Sequence, residues 1–149
     1  MMTLPVTNEL GELPAGVHQT TLAELLTCFG QDTPRRKVVG ERLRRVLSLA
    51  MQTGQLARAI VFGSLLSGKA EPNDVDVFLV MEDTFALDQA TGEARLVFDN
   101  AFAQAHFGTS VFWVRRSACF PNEATIVSGW GLKRDGRYRG IAEVLKESL

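Results

Sequence analysis

The sequence predicts a single mixed α/β domain, a short twisted sheet with helices packed mainly on one face. Two observations carry that expectation. Residues 59–62 and 75–80 are compact apolar runs, Ala-Ile-Val-Phe and Val-Asp-Val-Phe-Leu-Val, bounded by Gly63-Ser64 and by Pro72-Asn73; this is the pattern of two buried strands. Between residues 33 and 54, Val38, Val39, Leu43, Val46, Leu47, Ala50 and Met51 recur at intervals of three and four, the stripe of an amphipathic helix. A chain of 149 residues with both patterns has room for one sizeable core.

Residues 1–20 contain Pro5, Gly11, Pro14 and Gly16 without periodicity and are expected to form an N-terminal arm, leaving 21–149 as the domain. Thr21 and Glu24 have the spacing of a capping box and open a helix over 22–29, with Leu22, Leu25, Leu26 and Phe29 on one face. Thr33 caps the long helix and Pro34 is its first residue. Arg35, Arg36, Arg42, Arg44 and Arg45 fall on its other faces, with Glu41 spaced to pair with Arg45. They form either a solvated face or a contact for phosphate, which guanidinium binds bidentately.

Residues 85–107 are expected to be helical and to cover the sheet, in two parts because Thr91-Gly92 weakens the middle, with Gly108 as the stop. Ala90, Ala94, Val97, Phe98, Ala101, Phe102 and Ala105 mark its inner side. A third strand follows over 110–114, then a helical turn or two within 121–130. Residues 133–140 read as a turn around Asp135-Gly136, whose four cations and Tyr138 are either solvated or wall a nucleotide. A closing helix is expected over 141–149, with Ile141, Val144 and Leu145 inward.

The chemistry gathers in residues 58–80. Strand side chains alternate, so Asp74 and Asp76 leave one face while Val75 and Val77 leave the other. Two carboxylates this close repel each other unless a cation lies between them, and oxygen ligands of this kind suit Mg²⁺. Gly63 lets the backbone turn and a ligand approach, and the Ser64 hydroxyl and nearby amides can donate to phosphate oxygens. A strand, Gly63-Ser64, a short connection and Asp74-x-Asp76 opening the next strand resemble the nucleotidyltransferase superfamily. That is the fold of the DNA polymerase beta palm and of the small bacterial minimal nucleotidyltransferases. Gly68 and Asn73 stand where relatives often carry glycine and serine.

The resemblance implies that Asp74 and Asp76 hold Mg²⁺ as catalytic residues and that Gly63 and Ser64 grip the β and γ phosphates of a nucleoside triphosphate. It implies that Lys69 or an arginine offsets charge on the leaving pyrophosphate, as a nucleoside monophosphate passes to an acceptor hydroxyl. Active relatives carry a third carboxylate on the strand beside the Asp-x-Asp strand, where this chain has Ser110. A neutral hydroxyl ligates metal poorly and is no general base near neutral pH. The alternative is therefore a degenerate member acting as a regulatory or antitoxin-like binding module. Asp99 replaces the missing acid only if the helix over 85–107 is laid out differently. Because minimal members work with a separate helical protein, a partner or a homodimer is expected.

Composition narrows the remaining classes. A formal charge of −1 gives no general reason to expect nucleic acid, although six bases against one acid crowd residues 35–45 and eight acids against two bases crowd 69–99. Cys28 and Cys119 make neither a disulfide framework nor, with His18 and His106, a zinc spacing. No apolar run approaches the ~20 residues that cross a bilayer, so a cytoplasmic location is expected. Residues 63–69 lack the Gly-Lys-Ser/Thr ending of an ATPase phosphate loop.

Overall fold

A computed structural model describes residues 4–149. The fold is mixed α/β, with a five-stranded sheet in the order β1-β5-β2-β3-β4. In chain order its elements are β1 (Gly16–Thr20), α1 (Leu22–Phe29), α2 (Pro34–Gln52), β2 (Leu56–Phe62), β3 (Val75–Met81), α3 (Glu93–Val97), α4 (Asn100–Phe107), β4 (Thr109–Arg115), α5 (Glu123–Gly129) and β5 (Gly140–Val144). β2 runs antiparallel to both β3 and β5, whereas β3 pairs in parallel with β4 and β1 with β5.

The two faces of the sheet are covered unequally, as the strand alternation requires. Ala59, Val61, Val75, Val77, Leu79, Met81, Ala142 and Val144 join α1 to α4 in the main core. Ile60, Phe78, Val80 and Ile141 face the other way, against Val127 of α5 and Cys119, in a smaller cluster edged by Phe62, Val114 and Trp130. This second face is covered less completely than the first, and the acids emerge on it.

Both helix starts follow the expected capping chemistry. The Thr33 hydroxyl accepts from the Arg36 amide at 3.1 Å, and Pro34 needs no donor there. Thr21 accepts from the Glu24 amide at 3.2 Å, but the box is not reciprocated. The Glu24 carboxylate instead accepts from the Leu4 amide and the Thr20 hydroxyl, each at 2.8 Å, and so fastens the chain's first described residue to α1. On α2, Val38 is 46% exposed rather than part of the stripe. Glu41 pairs with Arg44 instead of Arg45, which reaches Glu93 on α3.

Three expectations are corrected. Residues 16–20, read as the end of an arm, form β1 at the edge of the sheet. Residues 141–144, read as the start of a helix, join Gly140 to form β5 inside it, buried along its whole length. Ile-Ala-Glu-Val looks helical because Glu143 breaks the apolar run. Its charge is neutralised by Arg58 on β2, whose guanidinium donates to both carboxylate oxygens at 2.8 and 2.9 Å. The helix over 85–107 is divided in two as expected, but the break between α3 and α4 falls at Asp99 and not at Thr91-Gly92, because the Asp99 side chain accepts from the Phe102 amide and starts α4 afresh. The restart changes the phase, so Ala103 and Phe107 are buried while Phe102 is 57% exposed. Among the described residues no helix is long and apolar enough to cross a membrane.

Candidate functional site

The site stands at the end of the sheet where β2 leaves and β3 enters. Antiparallel pairing sets Phe62 opposite Asp76, so Gly63 begins its turn directly beside that carboxylate. Gly63 has φ +89°, and a Cβ at this position would overlap the Asp76 carboxylate. Only glycine allows the backbone to lie this close to the acid. Gly63→Ala is expected to lower stability by about 3 kcal/mol, from left-handed strain and displacement of the carboxylate. Thermal unfolding checks this, and an unchanged melting temperature would contradict it.

Parallel pairing then sets Ser110 of β4 opposite Asp76. The position that the resemblance assigns to a third acid is thus next to Asp76, and Ser110 occupies it. Its hydroxyl donates to Gln104 Oε1 of α4 at 2.7 Å and lies 3.5 Å from Asp74 Oδ2, which also accepts from Gln104 Nε2 at 3.4 Å. Asp99 caps α4 and takes no place in this group. Asp74 and Asp76 form no salt bridge among the described residues, so no structural arginine uses them up.

Asp76 is the strained member of the group electrostatically. Burial raises its pKa to about 6 and the neighbouring Asp74 charge adds to the rise, while Ser110 and the positive charge of Arg139 pull it down. A carboxylate made costly to ionise by desolvation and a second acid is relieved by a cation. The donors gathered here are all oxygens: two carboxylates, the Ser110 hydroxyl and the Gln104 amide oxygen. They suit one hard divalent cation that keeps water and phosphate in the rest of its shell. Among the described residues no group of three or more His, Cys, Asp or Glu side chains comes together to hold a metal ion.

Beyond Gly63 the chain makes one short helical turn over Ser64–Leu66 and passes through an exposed loop. A buried side chain from α2 holds this loop in place. Arg36 is 4% exposed and donates to the carbonyls of Phe29, Leu65, Ser67 and Lys69. It is neither a solvated charge nor a phosphate ligand, the two roles expected for the arginines of this helix. Gly68 lies so close to Gly11 that Gly11 has no space for a side chain, while a side chain at Gly68 would meet the Leu10 carbonyl, which accepts from the Gly68 amide at 3.0 Å. Lys69 is exposed and fixed only through its backbone, in bonds to Arg36 and Ser67. Neither Ser64 nor Lys69 lines the cleft into which Asp76 opens.

That cleft, about 750 Å³, lies on the second face between β2, β3 and β4 on one side and residues 129–139 on the other. Its walls include Phe62, Phe112, Trp130, Arg134 and Arg139 beside Asp76. Gln104 gave no sign of a site role in the sequence, whereas Arg134 and Arg139 belong to the 133–140 segment whose cations were open to either a solvated or a wall-forming role. Phe112 could have been found, because it lies two residues beyond Ser110 on the same face of a strand.

Fold and side chains together define a mixed α/β protein with a cleft at one end of its sheet into which Asp76 opens, with Asp74 as a neighbouring acid. Over residues 5–145 the chain matches the model of a family of unknown function, DUF6932, and it belongs to that family. No curated protein and no solved structure matches it.

Proposed function

We propose that the chain binds a nucleoside triphosphate together with one Mg²⁺, as a nucleotidyltransferase-type domain that has given up the third acid. The observation that supports this best is the contact of Gly63 with the Asp76 carboxylate. It sets a backbone turn against a two-acid edge, which are the two halves that a metal-phosphate ligand needs. When bound, Mg²⁺ would neutralise phosphate charge between the nucleotide and the acids.

The residues divide the work. Asp74 and Asp76 would hold the cation, with Gln104 and Ser110 orienting Asp74. The amides following Gly63 and the Ser64 hydroxyl would donate to phosphate oxygens. Arg36 keeps that turn in position through the Leu65 and Ser67 carbonyls. Transfer to an acceptor needs a base for the attacking hydroxyl, and the residue opposite Asp76 is Ser110, which cannot take a proton near neutral pH. Binding without turnover is therefore the reading these side chains favour, which suits a regulatory module with a protein partner or a second copy of the chain.

Calorimetric titration with ATP in the presence and absence of Mg²⁺ tests the proposal. Binding should require Mg²⁺ and should weaken at least tenfold in Asp74→Asn and in Asp76→Asn. Equal binding by wild type and both variants, or none by wild type, would remove it. Steady pyrophosphate release above background would restore the transferase reading in place of binding alone.

A further inference from the structure

The register that places the acids also builds a row of aromatic rings beside them. Phe62, Asp76 and Ser110 form one row across β2, β3 and β4; Ile60, Phe78 and Phe112 form the next on the same face. Trp130, just after α5, lies over this second row, its ring centroid 4.8 Å from Phe62, 5.0 Å from Phe78 and 5.1 Å from Phe112. The rings tilt by 30° to 36° to one another, so they form a fan and not a closed stack.

Packing accounts for only part of this fan. Phe78 is buried, but Phe112 is 38% exposed, and Phe62 and Trp130 are partly so, all three on the wall of the cleft that holds Asp76. Across the cleft, most of the charge is already paired: Lys133 and Arg139 with Glu12 at 3.1 and 3.8 Å, and Asp135 with Arg137 at 3.0 Å. Arg134 has no ion pair among the described residues and lines the mouth. A cleft of about 750 Å³ with an aromatic floor, one acid at its end and a cation at its rim has the size and lining of a small-molecule site.

We infer that this cleft receives the nucleobase of the bound nucleotide, stacked on Phe112 and Trp130, with its sugar spanning toward Asp76. The inference rests on the metal-phosphate reading for its direction, because successive rows on one strand face stand about 7 Å apart, roughly a sugar's reach from phosphate to base. It adds a prediction about selectivity. The floor recognises a π face, and the polar groups nearest it are largely committed to one another, so the site tolerates all four bases and prefers purines for their larger stacking area. Arg134 would supply a cation at the rim of the stacked ring.

Trp130 reports the occupant directly once Trp113 is replaced. Trp113 is packed against Phe85 and Phe98, away from the cleft, and Trp113→Phe keeps an aromatic ring there. In that background, ATP with Mg²⁺ and millimolar adenosine without it should both quench Trp130 fluorescence. Phe112→Ala, at an exposed position, should weaken ATP with Mg²⁺ about tenfold and leave tripolyphosphate with Mg²⁺ within twofold. ATP and GTP should bind more tightly than CTP and UTP by less than about tenfold. Tripolyphosphate binding as tightly as ATP, or Phe112→Ala binding ATP as wild type does, would overturn the base site while leaving the metal-phosphate reading intact. Adenosine quenching with no Mg²⁺-dependent binding of ATP or tripolyphosphate would do the reverse. Absence of quenching by adenosine and ATP alike would also overturn the base site.

Discussion

Arg36→Ala is expected to lower the melting temperature by about 10 to 15 °C. The guanidinium is almost wholly buried and serves four backbone carbonyls, those of Phe29 at the end of α1 and of Leu65, Ser67 and Lys69 beyond β2. Desolvation lowers its pKa against the opposing pull of the Asp32 charge, and its hydrogen bonds among the described residues all go to carbonyls, so the peptide oxygens are its solvation shell. Removing it leaves several of them without a donor, at about 1 to 3 kcal/mol for each that water cannot reach. A net loss of about 3 to 5 kcal/mol follows, at about 2 to 4 °C per kcal/mol for a domain of this size. Arg36→Lys should recover only part of the loss, because an ammonium donates from one point while the guanidinium spreads five donors over a fork. If the loop positions the phosphate turn, the lysine variant should fold and still bind ATP with Mg²⁺ more weakly than wild type. A melting temperature within 3 °C of wild type for Arg36→Ala would show that the carbonyls are served by water.

Asp76→Asn is expected to stabilise the metal-free protein near neutral pH. The folded-state pKa of Asp76 is raised from 3.8 to about 6, so the native state holds this proton more tightly than the unfolded chain does. Its contribution to stability is complete below about pH 4 and is lost as pH rises through about 6. The amide imitates the protonated acid. At pH 7.5 in a chelator the variant should therefore melt higher, by about 2 kcal/mol after allowance for solvent screening. The difference should fade to nothing below pH 4. Added Mg²⁺ should stabilise wild type and leave Asp76→Asn unmoved, by the linkage of ligand binding to the native state. Identical melting of both proteins from pH 4 to 8 would mean that the acid is well solvated and under no strain.

What the sequence revealed and what it hid follow from how far each feature's cause lies along the chain. The Thr33 cap and the Val39, Leu43, Val46, Leu47 stripe are local, and they announce α2 with its bounds. The pairing of Phe62 with Asp76 is close to local, since one short connection joins two apolar runs, and it brings Gly63 to the acid. β5 was hidden because the reason Glu143 tolerates a buried strand is Arg58, 85 residues away. Arg36 was misread for a similar cause: its partners are carbonyls of a loop, and carbonyls leave no trace in a residue pattern. Gln104 escaped because the helix holding it begins anew at Asp99, which no periodic count foresees.

The central place of β5 also bears on how the chain acquires its shape. β1 is made from residues 16–20 and β2 from 56–62, yet they do not pair with each other; both wait for 140–144 to insert between them. Until that segment emerges from the ribosome, β2 presents a bare row of amides and carbonyls along one side, a template for any extended chain nearby. Pairings this distant in sequence are assembled late and slowly. Nascent chains lacking the last ten residues should therefore be the species most in need of a chaperone.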